Sequence, residues 1–362
     1  MEKLLLGFLA AFGLAWFLTP YVRKMAFRIG AVDLPDQRKV HDGVMPRLGG
    51  LAIYLSFVIV VLATRDPTPA VLGLIAGATA IVLVGVIDDI RGLPAWTKLA
   101  GQVAAAACVI PFGINVQFLT NPLNGEMIYL GLLGIPLTII WLVAVTNAVN
   151  LIDGLDGLAG GVSCIAAITL GVVALTQWQV FGIGGQAEVI TMAFILACAI
   201  LGFLKFNFHP ARIFLGDTGS MFLGFTLATL AVMGVAKSAT AISVFIPLVI
   251  LGIPLLDSVF AVIRRYNTNR PIFQPDKEHL HHQLLAMGLT HRQTVLVIYA
   301  VSLALGISAV LLNLLTTDQA ALLLLGLAIV AIAGANRIGV AGRRSRASLP
   351  AVEKVNGRSS EM

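Results

Sequence analysis

Long apolar stretches separated by short polar segments make up most of this chain, from the N-terminus to about residue 336. A run near twenty apolar residues is long enough to cross the hydrocarbon core of a bilayer as a helix. Eleven such stretches are predicted, at 3–22, 48–64, 69–87, 98–118, 129–147, 158–178, 187–204, 217–235, 240–263, 293–315 and 319–336. The alternating segments of about ten residues that mark a transmembrane barrel are absent from the sequence. The expected fold class is therefore all-α: a polytopic integral membrane protein with about eleven transmembrane helices. The first stretch lacks a small-residue cleavage site and leads into further spans, so it is expected to stay as a helix. Residues 1–336 are expected to form a single membrane domain. From 337 to 362 Arg, Ser and Gly replace the apolar residues, which predicts a disordered basic tail.

Composition agrees with that pattern and excludes a soluble domain: 58% of residues are hydrophobic, 12% are charged, and the mean hydropathy is +0.93. The net charge of +6 matters through its placement. With the N-terminus outside, 21 of the 24 Lys and Arg residues fall in inner loops or the C-terminal tail, leaving Lys3, Arg65 and Lys237 outside. Cytoplasmic loops retain basic residues, so the N-terminus is expected outside and the C-terminus in the cytoplasm. These cations are spread along membrane-flanking loops with no interleaved aromatics, which argues against nucleic acid as a partner and for membrane lipids. Cys108, Cys164 and Cys198 lie within apolar runs at no metal or redox spacing and are read as packing residues.

The candidate chemistry is one-sided. Asp88, Asp89, Asp153, Asp156, Asp217, His279, His281 and His282 all fall at inner span ends or in inner loops, with no matching cluster outside. Loops that merely need solvation would carry polar residues on both faces, so this points to a site at the cytoplasmic surface. Asp217, in Gly216-Asp-Thr-Gly-Ser220 at the start of an apolar run, suits a metal or phosphate at a helix mouth, and equally suits an N-cap. The adjacent Asp88 and Asp89 repel, which predicts a shared cation or proton. Asn147, Asn150, Asp153 and Asp156 recur every third residue and would line one side, offering carboxamides and carboxylates to magnesium or to sugar hydroxyls. His279 and His282 would share a helix face with His281 pointing elsewhere, too few ligands for zinc from this segment alone. The first inner loop, with Arg38, Lys39, His41 and Arg47, reads as phosphate-binding or as a plain juxtamembrane loop.

In that order the four strings resemble the polyprenyl-phosphate N-acetylhexosamine-1-phosphate transferases, within glycosyltransferase family 4, over about residues 20 to 292. The related phospho-N-acetylmuramoyl-pentapeptide transferases typically carry three consecutive histidines, whereas Leu280 interrupts the run here. The resemblance implies transfer of N-acetylglucosamine 1-phosphate from a UDP-N-acetylhexosamine to undecaprenyl phosphate, with release of UMP. It places Asp88, Asp89, Asp217 and His279 in catalysis, and Asp217 and Asp153 on Mg2+, with Mn2+ as a substitute. Asn150, Asp153, Asp156, Asn207, Phe214, Lys98, His281 and His282 would bind substrate, Phe214 by stacking on the uracil. It implies a bacterial plasma membrane location with the site facing the cytoplasm. A pentapeptide transferase, a secondary transporter of an anionic solute, the choice between N-acetylglucosamine and its galacto epimer, and a homodimer stay open at this point.

Overall fold

The computed structural model describes residues 2–33, 43–120, 126–235, 244–267 and 279–338. Of the basic residues noted above, Arg38, Lys39, Lys237, Arg270, Lys277 and those from Arg343 onward lie outside the described residues, as do His41 and nearly all of the expected tail. The chain is mostly helical. Its helices are α1 (Glu2–Ile29), α2 (Gly50–Thr64), α3 (Pro69–Arg91), α4 (Ala95–Cys108), α5 (Gly134–Leu151), α6 (Leu158–Gln179) and α7 (Ala187–Asn207). They continue with α8 (Gly216–Val235), α9 (Phe245–Ile250), α10 (Gly252–Asn267), α11 (Leu280–Ala286), α12 (His291–Leu314) and α13 (Thr317–Ile338). Two small antiparallel ladders depart from a purely helical chain: β1 (Val32–Asp33) with β2 (Met45–Pro46), and β3 (Phe118–Thr120) with β4 (Met127–Tyr129).

Among the described residues, eight helices are long and apolar enough to cross a membrane, which fits a polytopic membrane protein. The expected stretch at 48–64 becomes α2, apolar but only 15 residues long. The stretch at 240–263 is not one helix. It is interrupted at Leu251 between α9 and α10, because Pro254 cannot donate a backbone bond to Ile250 and its ring would crowd that carbonyl.

Helix boundaries follow local chemistry. Thr68 accepts a hydrogen bond from the Val71 amide with Pro69 in the first turn of α3, and Gly92, at φ +67°, ends that helix. Thr290 and Gln293 form a reciprocal capping box at α12. Within the helices, Thr19, Ser56 and Thr146 donate to the carbonyls four residues back, so hydroxyls with no water at hand are satisfied inside their own helix. Large apolar side chains such as Leu5, Leu62, Ile140, Leu303 and Val330 face outward, as expected where lipid is the solvent.

Helix α8 runs through the middle, packed against α3, α5, α2, α6 and α7. Its start is held by close backbone approach. A Cβ on Gly50 would lie 1.9 Å from the Gly219 Cα, and one on Gly85 would lie 2.5 Å from the Thr218 Cα. Small residues at such contacts let membrane helices gain dispersion contacts and backbone proximity that larger side chains would prevent. The segment leading into α2 joins the same point: the Phe214 amide donates to the Pro46 carbonyl at 2.8 Å, and the Gly49 amide donates to the Phe214 carbonyl at 3.0 Å.

Candidate active site

The ends of α3, α5 and α7, the α5–α6 turn, the starts of α8, α11 and α12 and the β1–β2 segment converge on a cleft of about 590 Å³, within the range of small-molecule sites. At its centre is the first turn of α8. Gly216, at φ +74°, has the Arg47 carbonyl and an Asp89 oxygen where a Cβ would go, at 2.6 and 2.7 Å, so the turn can close only with glycine. Asp89 reaches across from α3 and caps α8: Oδ1 accepts from the Asp217 amide at 2.9 Å, and Oδ2 accepts from the Thr218 amide at 2.9 Å and its hydroxyl at 2.6 Å. Arg47 Nε lies 3.4 Å from the same carboxylate. Because the cap comes from Asp89, the Asp217 carboxylate is released from capping its own helix.

Asp217 instead meets Lys98 and Asn150. Lys98 Nζ lies 2.7 Å from Asp217 Oδ1 and 2.9 Å from Asp88 Oδ2, and donates to Asn150 Oδ1 at 3.3 Å. Asn150 Nδ2 donates to Asp217 Oδ1 and, at 2.8 Å, to Ser220 Oγ. Asp88 Oδ1 accepts from the Leu93 amide at 2.6 Å, folding the α3–α4 turn so that Lys98 faces back toward the start of α8. The Asp88–Asp89 pair therefore differs from the expectation of a shared cation or proton: consecutive helix positions point apart, and each carboxylate has its own positive partner.

The three-residue repeat of the next string holds only in part. Asn147 and Asn150 share a face of α5, where Asn147 exchanges hydrogen bonds with Gln102 at 2.7 and 3.2 Å. The helix then ends at Leu151, and Asp153 and Asp156 lie in the turn before α6. No donor reaches the Asp153 carboxylate among the described residues. Burial first, then the charges of Asp217, Asp89 and Asp156, push its carboxyl well above the usual range. Asp156 is satisfied differently: Oδ2 takes His209 Nδ1 at 2.8 Å and the Ala211 amide at 3.0 Å, and the His209 ring stacks on His291 with centroids 4.2 Å apart. His209 and His291 were not singled out from the sequence. The only signal for them was a histidine beside Pro210 and another at a helix start.

Other expected residues are distributed between the cleft and its walls. Asn207 is buried and braces two backbones, accepting from the Gly157 amide at 3.1 Å and donating to the Ile213 carbonyl at 3.0 Å. Phe214 is half-buried and lines the cleft. Of the histidine run, His282 lines the cleft, whereas His281 is buried with Nε2 facing Gly154, where a Cβ would come within 2.3 Å. Burial, then the neighbouring His282, push the His281 imidazole down to about 3, so it is neutral at physiological pH. His279 precedes α11 in extended conformation and does not share a helix face with His282. Its Nδ1 meets Asp257 Oδ2 at 2.8 Å while the Leu280 amide donates to Asp257 Oδ1 at 2.8 Å. Asp257 was missed because it stands inside an apolar stretch.

The arrangement joins two cations, Lys98 and Arg47, to hard oxygen donors, Asp153 and Asp217. The donor chemistry fits magnesium: no hydrogen-bond donor among the described residues meets the Asp153 oxygens, and Asp217 is close enough to repel them. Comparisons with known proteins agree on the segment. The glycosyl transferase family 4 profile matches residues 71–235, which contain Asp88, Lys98, Asn150, Asp153 and Asp217. The chain is similar to the probable undecaprenyl-phosphate N-acetylglucosaminyl 1-phosphate transferase of Bacillus subtilis (strain 168), with 43% identity covering 86% of each chain. It is 38% identical to the decaprenyl-phosphate N-acetylglucosaminephosphotransferase of Mycobacterium tuberculosis (strain ATCC 25618 / H37Rv), over 82% of this chain and 79% of the relative. To the undecaprenyl-phosphate alpha-N-acetylglucosaminyl 1-phosphate transferase of Escherichia coli (strain K12) it is 30% identical, over 77% and 75%. A cleft assembled from the ends of packed apolar helices, the matched segment that supplies its Asp89, Asp153, Asp156 and Asp217, and likeness along most of the length of these relatives show that this chain belongs to glycosyl transferase family 4.

Proposed function

We propose that the protein transfers N-acetylglucosamine 1-phosphate from UDP-N-acetylglucosamine to undecaprenyl phosphate, releasing UMP. The observation that carries this reading is Lys98, held between Asp88 and the cleft-lining Asp217 at the start of α8, at one end of a bundle of lipid-facing helices. A phosphate oxygen of the lipid attacks the phosphorus next to the sugar. The bond from that phosphorus to the oxygen of UMP breaks, and the electron pair leaves with UMP. Such transfers depend on in-line positioning and on neutralising charge around the phosphorus. Lys98 and Arg47 supply fixed positive charge. Asp88 or Asp89 would be the carboxylate that engages the incoming lipid phosphate: Asp89 lines the cleft while capping α8, and Asp88 pairs with Lys98 beside it. Asp217 and Asp153 would hold a divalent ion, magnesium with manganese as substitute, which when bound neutralises the diphosphate. Phe214 offers a face for the uracil, and His282 a donor for the diphosphate or the sugar.

The same reading places the protein in a bacterial plasma membrane, with about eleven spans, the N-terminus outside and the cleft in the cytoplasm. A soluble nucleotide sugar and a lipid-borne acceptor can meet at that interface.

UMP release by purified protein in detergent, with magnesium and undecaprenyl phosphate, tests the assignment. Turnover is expected with UDP-N-acetylglucosamine, with the N-acetylgalactosamine epimer as the nearest competitor, because one hydroxyl separates them. Faster turnover of the UDP-muramoyl-pentapeptide would move the protein to the peptidoglycan branch. No UMP from any donor would leave a transporter as the better reading.

A further inference from the structure

We infer that His209 is a donor-recognition residue: Asp156 and His291 fix its ring so that Nε2 presents an oriented hydrogen-bond acceptor to an N–H or O–H of the nucleotide sugar. This rests on the function proposed above and names a contact within the same cleft.

Three elements distant in sequence build the arrangement. Asp156 comes from the α5–α6 turn, His209 from the α7–α8 connection and His291 from the first turn of α12. Asp156 Oδ2 already accepts the Ala211 amide and faces Nδ1 of His209, so the tautomer that pairs with this carboxylate carries its hydrogen on Nδ1. The lone pair then resides on Nε2. That atom has no partner among the described residues, and the side chain is 36% exposed at the cleft. Stacking on His291 at 4.2 Å and 20° fixes the ring plane, and Arg292 donates to the His209 carbonyl at 3.1 Å, so the backbone is held as well.

The polar atoms of Asn207, the neighbour expected to meet the base, are occupied by the Gly157 amide and the Ile213 carbonyl. His209 is thus the side chain of this connection whose second hydrogen-bonding edge is left for a ligand. The cations Lys98 and Arg47 lie around Asp88, Asp89 and Asp217, where phosphate is handled, so an acceptor at His209 suits the uncharged parts of the donor. An acceptor selects a donor: the imide N–H of uracil or a hydroxyl of the N-acetylhexosamine.

A cation held by Asp156, His209 and His291 is the competing arrangement, since their ligand atoms lie within 4.8 Å of one another. Near-parallel stacked rings direct their nitrogen lone pairs side by side instead of toward a common point, so the geometry favours the hydrogen-bonding role.

The test is calorimetric titration of the full-length protein in detergent with UMP and with UDP-N-acetylglucosamine, alongside steady-state kinetics. His209→Phe keeps a ring to stack on His291 and removes the acceptor, whereas His209→Gln keeps an acceptor and loses the ring. The expected result for His209→Phe is at least a tenfold weaker Kd for UDP-N-acetylglucosamine and a matching rise in its KM, with the KM for undecaprenyl phosphate unchanged. His209→Gln should recover part of that loss. Weakening of UMP as well assigns the contact to uracil, whereas weakening of the nucleotide sugar alone assigns it to the hexosamine. Wild-type affinity for both ligands in His209→Phe overturns the inference. So does an equal rise in both KM values accompanied by a lower thermal midpoint, which would mark a packing role. Wild-type protein that neither binds nor turns over UDP-N-acetylglucosamine would instead overturn the functional reading on which the inference depends.

Discussion

Lys98 shows how a single side chain keeps this site assembled. Its ammonium lies within 3 Å of oxygens from both Asp88 and Asp217 and also reaches Asn150, so it offsets a repulsion that would otherwise separate the ends of α3 and α8. Opposite charges at that distance in a partly desolvated cleft interact far more strongly than in water. Replacing Lys98 by Met removes both ion pairs and, on the proposed function, a cation that would face the transferred phosphoryl group. Turnover should fall by about 10²-fold or more, the scale seen when one preorganised donor is deleted from an active site. Asp217→Asn should lose activity to a similar degree while keeping the fold, because Asn preserves shape and can still meet Asn150. UMP release at saturating substrates measures both. Near-normal turnover of either variant would remove that residue from the chemistry.

At the scale of the element, the start of α8 decides the geometry, and the two adjacent aspartates of α3 divide the work. Asp89 satisfies two helix amides and a hydroxyl that α8 cannot satisfy itself, whereas Asp88 faces Lys98 and the α3–α4 turn. Loss of a helix cap costs about 1 to 2 kcal/mol, and a buried cap with several donors belongs at the upper end of that range. Asp89→Ala should therefore lower the thermal midpoint in detergent and abolish turnover together. Asp88→Asn should leave the midpoint close to that of the wild type while turnover falls. Equal midpoints for the two variants would show that Asp89 is not the anchor of α8. The glycines opposite explain why this anchor can be so short: Gly50 and Gly85 bring α2 and α3 to the α8 backbone itself.

For the whole molecule, the helix order and the distribution of charge lead to one expectation about sidedness. The turn between α2 and α3, which contains Asp66, and the turn between α11 and α12, which contains Met287, should lie on opposite faces of the membrane. With Cys108, Cys164 and Cys198 replaced by alanine, a cysteine at position 66 should react with an impermeant maleimide on intact cells. A cysteine at 287 should react only after permeabilisation. The reverse pattern would invert the molecule and place the cleft outside, where a cytoplasmic nucleotide sugar could not reach it.

Hydropathy alone determined the membrane class, and the positions of most helices follow from it: an apolar run of sufficient length has to satisfy its backbone internally, so it becomes a helix. α3, α6, α7, α12 and α13 begin and end within a few residues of the expected stretches. The one-sided collection of Asp and His residues likewise announced the cleft, because charged groups at a membrane edge are costly to place without use. The tertiary structure decided which of those residues face one another. That Asp89 caps α8 while Asp88 meets Lys98, that Asn207 braces backbones, and that His279 is held by Asp257 behind the cleft all depend on contacts between helices far apart in the chain. Local spacing ranks such residues only by type. The Asp156–His209–His291 group was invisible for the same reason, since its members are separated by more than fifty residues and meet only when three helix ends are packed together. The interruption at Leu251 was misread because hydropathy counts apolar residues and is blind to the hydrogen bond that Pro254 cannot make.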